Sequence, residues 1–183
     1  MKIILSVTGA SGTIYARQVL EHLLATEQVE HIALILSSTA ESVAEYEGVE
    51  LPQSDKITIF DNQDMFAPAA SGSAEYDAMV IVPASMGSIG RIAAGISSTL
   101  IERSADVMLK ERRRLIIVPR EAPYSLIHLR NMTTLCEAGA LILPASPSFY
   151  SHPQSIDELV ATVVERIISQ LGIKEEHYTW GEK

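Results

Sequence analysis

Gly9-Ala10-Ser11-Gly12 is a turn of small residues set directly after the apolar run Ile3, Ile4, Leu5 and Val7, and a helical pattern of Ile14, Val19, Leu20, Leu23 and Leu24 follows it. Strand, tight turn and helix in that order aim free backbone N–H groups and the positive end of a helix at one point. An anion is the natural occupant, most often a phosphate. Glycine suits the turn because it tolerates positive φ and lets a ligand approach the backbone. No Gly-Lys-Ser/Thr follows, so this is not a nucleoside triphosphate loop. Val7 stands where the dinucleotide fingerprint has its first glycine, and the strand His31 to Leu36 runs into Ser37-Ser38 in place of an acidic residue for a ribose diol. Those hydroxyls suit a single phosphate or a flavin edge, and the turn reads as a mononucleotide site. Its plainer reading is a helix start that only packs on a sheet.

The elements that must position this turn follow in order. After the strand His31 to Leu36 comes a helix near Thr39 to Tyr46, with Ser38 and Glu41 spaced as a capping box. Glu47 to Lys56, polar and holding Pro52, reads as a loop. Ile57 to Phe60 is a third strand, and Asp61 to Ala74 is a loop long enough to imply a task or mobility. Met79 to Val82 is a fourth strand closed by Pro83, Ile89 to Ala94 and Thr99 to Lys110 are helical, and Leu115 to Val118 is the fifth strand. Leu126 to Ala138 reads as a helix stopped by Gly139, Leu141 to Leu143 as the sixth strand, and Ile156 to Leu171 as a helix capped by Ser155 and ended by Gly172.

Strands alternating with helices predict an α/β fold, a parallel sheet covered on both faces. Ligands of such a sheet lie outside the carboxyl ends of its strands. The segments expected there are Gly9 to Thr13, Ser37-Ser38, Asp61 to Ser73, Pro83 to Ser88, Pro119 to Ser125 and Pro144 to His152. They hold Arg120, Glu121, Tyr124, Tyr150 and His152 as well as most of the serines. Polar groups gathered at one edge point to a site.

At 183 residues the chain has the size of one domain and can bury roughly 70% of its unfolded surface. Hydrophobic residues make up 47% and charged residues 20%, which excludes disorder and leaves apolar surface for sister chains to cover. A formal charge of −9 argues against nucleic acid as a partner, since no broad basic face is available. Cys136 is the only cysteine, so no internal disulfide is expected and a reducing compartment is. Without a signal peptide or an apolar run of spanning length, the expected location is cytoplasmic.

Several motifs then resemble a known family. Thr8-Gly-Ala-Ser-Gly12, Pro83-Ala-Ser85, Ile101-Glu-Arg-Ser-Ala-Asp-Val107, Leu109-Lys-Glu-Arg-Arg113, Val118-Pro-Arg-Glu-Ala-Pro123 and Phe149-Tyr150 with Pro153-Gln-Ser155 are similar to those of the UbiX-type flavin prenyltransferases. The likeness runs from Lys2 through the last helix to Trp180-Gly-Glu182. It implies a Rossmann-like (flavodoxin-like) three-layer sandwich and a single flavin-binding domain over residues 1–183, with the tail 172–183 packed on a neighbouring subunit. It further implies a homododecamer whose active sites are shared between neighbours. The implied activity joins a dimethylallyl group from dimethylallyl phosphate to N5 and C6 of reduced FMN, without a metal. The product, prenylated FMN, serves a UbiD-type decarboxylase.

The same resemblance distributes roles. Ala10, Ser11, Gly12, Ser37, Ser85, Met86, Gly87, Ser88 and Arg120 would bind FMN. Arg103, Lys110, Arg120, Tyr150 and Arg166 would bind the donor phosphate, whose departure needs preorganised cations in a site closed to water. Glu121 would protonate that phosphate and later take a proton back. Ser11 and Glu47 would move protons during ring closure, and the flavin face would shelter the allylic cation. Mono- and diphosphate donors would use the same cations.

Each residue also has a plainer reading. Lys110 to Arg114 reads as an exposed helix end favoured by the dipole, Arg120-Glu121 as a surface ion pair, Glu47 as solvated surface and Tyr150 as interface packing. Cys136, at helical spacing from Met132, reads as core, and His128 and His152 as structural. Met65 and Phe66 read as a flavin cover or a subunit contact. No His/Asp/Cys cluster has metal-ligand spacing. The chain departs from the family at Ala84, Ser88, Arg91, Arg114 and Met65, which bears on substrate fit. Two other functions share the resemblance. An FMN-dependent cysteine decarboxylase of the same fold would continue Pro-Ala-Ser as Ala-Asn-Thr and carry a Pro-x-Met-Asn clamp, where this chain has Met86-Gly87-Ser88 and no clamp. A non-catalytic FMN-binding partner subunit would have no use for the phosphate-binding cations.

Overall fold

The computed structural model describes residues 1–174. Its strands are β1 (Lys2–Val7), β2 (His31–Leu36), β3 (Ile57–Asp61), β4 (Ala78–Ala84), β5 (Arg114–Pro119) and β6 (Leu141–Ile142). They form one sheet in the order β3-β2-β1-β4-β5-β6 with every neighbouring pair parallel. The helices are α1 (Thr13–Ala25), α2 (Ser38–Glu47), α3 (Met86–Ala93), α4 (Leu100–Lys110), α5 (Leu126–Glu137) and α6 (Ile156–Gln170). This is the doubly wound Rossmann-like order, and the winding reverses between β1 and β4, where such sheets open a crevice for ligands.

The apolar run of β1 explains the layering. Ile3, Leu5 and Val7 point into a core shared with Val19, Leu20 and Leu23 of α1 and Val160, Val164 and Ile167 of α6. Ile4, on the opposite face, enters a second core with Ile89 of α3, Leu100 and Val107 of α4, and Leu135 of α5. A strand buried on both faces has to be apolar throughout, as this one is apart from Ser6 and the half-buried Lys2 at its start. Helix α6 shows packing overriding propensity. Its Val and Ile residues each cost about 0.5 kcal/mol relative to alanine in a helix. Full burial of such a side chain contributes about 1.5–3 kcal/mol, and Val160, Val163, Val164, Ile167 and Ile168 are all buried. Burial wins.

Several expected boundaries shift. Helix α2 is capped by Ser37, not Ser38: the Ser37 hydroxyl accepts from Ala40 N–H at 3.1 Å. Glu47, expected in a loop, is the last residue of α2, and Gly48 turns the chain away at φ 65°. Strand β4 continues through Pro83 to Ala84, and α3 begins at Met86 because the Ser85 side chain caps it through Ser88 N–H. The stretch Asp61 to Ala74 carries 3-10 turns at Pro68–Ala70 and Gly72–Ala74. Cys136 is exposed rather than core, since α5 buries only Met132 and Leu135. Phe66 and Phe149 also face outward, 99% and 71% exposed. The tail expectation, from residue 175 onward, lies outside the described residues.

Candidate active site

Where the winding reverses, Thr8 ties the two diverging chains together. Its hydroxyl donates to the carbonyl of Pro83 at 2.8 Å and accepts from Ser85 N–H at 2.7 Å. The glycine turn that follows is shaped by close approach. A Cβ on Gly9 would lie 2.5 Å from Cγ2 of Thr39 in the first turn of α2, and Gly12 adopts φ 110°.

The helix end behind that turn already holds a carboxylate. Glu47 Oε1 accepts from Gly12 N–H and Oε2 from Thr13 N–H, both at 2.8 Å. Burial pushes this carboxyl up, but hydrogen bonds from the Ser11 hydroxyl and the two amides outweigh it and hold the group below its ordinary value. Glu47 is therefore an ionised acceptor tied to Ser11, not solvated surface. The anion expected at the start of α1 is supplied by the protein, so a ligand phosphate would need another place.

The first turn of α3 offers that place. Among the described residues, the amides of Met86 and Gly87 find no acceptor. Ser85 and Ser88 hydroxyls lie 3.1 Å apart at the same turn, and the capping hydroxyl of Ser37 stands at the end of β2. Helix α4 differs, because its first amides are taken: Leu100 and Ile101 donate to the carbonyl and side chain of Asn62, and Glu102 and Arg103 to Thr99. Two unsatisfied amides, two hydroxyls and the positive end of a helix fit a flavin phosphate.

Arg120 leaves the end of β5 and donates through Nε to the carbonyl of Ser11 at 2.9 Å. Glu121 beside it is exposed and accepts from Ala122 N–H at 2.9 Å, and no ion pair between Arg120 and Glu121 stands among those of the described residues. Ala10, Ser11, Gly12, Glu47, Arg120 and Glu121 thus gather at one edge with Ser37 and Ser85 to Ser88.

The remaining cations lie apart within the chain. Lys110 closes α4 four residues before β5 begins, at the amino edge of the sheet. A strand the length of β5 spans about 20 Å, so that is its distance scale from the glycine turn. It pairs there with Glu111. Arg103 donates to the carbonyl of Ala70 at 3.0 Å and to Asp106 at 2.7 Å. Tyr150 and Arg166 line a separate cavity of about 470 Å³ between β6 and α6, with Ser146, Ser148 and Thr162.

Comparison with known proteins places these features in a family. Residues 1–168 match the family described as Flavoprotein. A flavin prenyltransferase UbiX from Thermoplasma acidophilum is 47% identical over 176 residues, covering 94% of this chain and 96% of that protein. The chain belongs to the UbiX flavin prenyltransferases. Solved members share its fold at a TM-score of 0.89 for an UbiX protein in complex with FMN and dimethylallyl pyrophosphate, 39% identical with 98% of each chain covered. A dodecameric FMN-dependent UbiX-like decarboxylase from Escherichia coli O157:H7 gives 0.91 at 35% identity with both chains fully covered. No described helix of this family member is long and apolar enough to cross a membrane.

Sequence reasoning gave no structural role to Thr8 or Asn62 and did not pair Arg91 with Glu102. Thr99-x-x-Glu102 has the spacing of a capping box, and in the fold both halves of that box form. Ser125 and His128 form another, which gives His128 its structural role.

Proposed function

We propose that this protein is a flavin prenyltransferase, which joins a dimethylallyl group from dimethylallyl phosphate to reduced FMN and releases prenylated FMN for a UbiD-type decarboxylase. Family membership supports the reaction class. Within the chain, the contact between Arg120 and the Ser11 carbonyl carries the reading, because it sets a phosphate-binding cation against the flavin-binding turn.

Residues 1–183 act as one flavin-binding domain. The amides of Met86 and Gly87 with Ser85, Ser88 and Ser37 would hold the flavin, and Ala10 to Gly12 would lie along it. Bound there in reduced form, FMN supplies the nucleophilic nitrogen and ring carbon that receive the allyl group. Arg120 stabilises negative charge on the departing phosphate, and Glu121 hands it a proton. Ionised Glu47 accepts the Ser11 O–H, which leaves the Ser11 oxygen able to take a proton and pass it on.

Lys110, Arg103, Tyr150 and Arg166 would complete the phosphate site from neighbouring copies: within one chain Lys110 closes α4 at the amino edge of the sheet, and Tyr150 and Arg166 line a cavity of their own. The protein works as a homo-oligomer, a dodecamer by likeness to its relatives, in the cytoplasm. The test is anaerobic incubation with reduced FMN and either dimethylallyl monophosphate or the pyrophosphate. Gain of one isoprene unit by the flavin is the expected result. An unchanged flavin mass with both donors refutes the reading.

A further inference from the structure

Arg91 and Glu102 form a contact that the reaction described above does not use. Glu102 is 2% exposed, in the first turn of α4. One carboxylate oxygen receives Arg91 Nε; the other accepts from Ser98 N–H at 2.9 Å and Thr99 N–H at 3.1 Å. A carboxylate this buried needs its guanidinium, because an uncompensated charge there is costly. The anchor is firm, since Asn62 and Thr99 satisfy the amides around it.

From this anchor the guanidinium reaches back to the first turn of α3. Nη2 lies 3.4 Å from Ser88 Oγ, and Nη1 lies 3.4 Å from where a Cβ on Gly87 would sit. Helix α3 has only 8 residues and gains little stability of its own.

The chemistry of the donors then sets a direction. Between Ser85 and Ser88 alone, either hydroxyl could donate to the other. An arginine has only donors, so Ser88 Oγ accepts from Arg91; with that lone pair occupied, donation of the Ser88 hydrogen to Ser85 Oγ, 3.1 Å away, is favoured over a second acceptance. Ser85 Oγ already accepts Ser88 N–H at 3.3 Å. In that arrangement both Ser85 lone pairs are used, and its O–H is left to offer outward.

We propose that Arg91, held by Glu102, is a positioning residue that fixes the hydrogen-bond direction through Ser88 so that Ser85 presents a donor to an anionic or carbonyl oxygen of the flavin. This rests on the flavin lying at the α3 turn, as the function above has it.

The experiment is a double-mutant cycle read by FMN binding, with Kd from quenching of flavin fluorescence. Arg91→Met combined with Glu102→Gln removes the pair without leaving a buried charge, and its melting temperature is checked against the parent. In the parent background this change is expected to weaken FMN about tenfold, and to raise the FMN KM more than it lowers kcat. In a Ser85→Ala background the same change should move Kd less than about twofold. Arg91→Lys, which keeps a donor, should recover part of the affinity. Equal weakening in both backgrounds, or none in the parent, overturns the inference while leaving the flavin site intact. A parent protein that binds no FMN overturns both.

Discussion

Glu47 and Gly12 stand 35 residues apart in sequence and 2.8 Å apart across a hydrogen bond from the Gly12 amide to the Glu47 carboxylate. The bond joins the last residue of α2 to the cap of α1 and puts negative charge where the α1 dipole favours it.

Glu47→Gln keeps the shape and removes the charge, and its amide group turns a donor toward donors. We expect a loss of about 1–2 kcal/mol in stability, the scale of a buried hydrogen bond left unmade. Turnover should fall about a hundredfold, the scale of a lost proton-transfer partner, while FMN still binds. Thermal unfolding and anaerobic product formation measure both. A variant that melts and turns over like the parent would remove the Ser11–Glu47 relay.

Acid should weaken the fold through Glu47 and Glu102. Both carboxyls sit below their ordinary value in the folded state. Their contribution is present above the unfolded value, about 4.3, and is lost as pH falls from there through the lower folded values. The Arg91→Met/Glu102→Gln protein should therefore show a shallower decline of melting temperature below that pH. An acid limb parallel to the parent's would rule Glu102 out as a contributor.

Gly9→Ala should destabilise by about 1–3 kcal/mol, the range for overpacking. The added Cβ meets both Cγ2 and Cβ of Thr39, at 2.5 and 2.6 Å. Thr39→Ala would keep one of these contacts and leave most of the loss, whereas Thr39→Gly would relieve both. Full rescue by Thr39→Ala, seen in denaturant unfolding, would show that the fit is looser than this geometry requires.

Lys110→Ala and Tyr150→Phe should each cut turnover strongly while FMN binding persists. Glu121→Gln should do the same through the lost proton. Mixed oligomers of Lys110→Ala and Glu121→Gln chains should recover activity if neighbours complete one another's sites, because some sites then receive intact groups from both chains. No recovery at any mixing ratio would place all the groups of a site in one chain.

Much of this fold was legible because β1, β2 and β4 are apolar on both faces and their glycine, serine and proline boundaries are local signals. Where reading by residue failed, a distant partner decided. Glu47 looks like surface until α2 brings it back to Gly12. Ser85 looks like loop until its side chain is seen to cap α3. Arg91 stood out only as a departure from the family, and nothing in its neighbours says that a carboxylate eleven residues on will hold it. The phosphate cations were named from resemblance. The place of Lys110 follows from topology, since α4 runs back to the amino edge before β5 can begin.

Phe66, almost fully exposed at 99%, carries a practical consequence for handling the protein. Replacing it and Phe149 with polar residues would make dispersed chains more soluble and easier to purify. Such preparations would still turn yellow with FMN. If these aromatics lie between copies, the same preparations would make little modified flavin, because a site shared between chains would come apart.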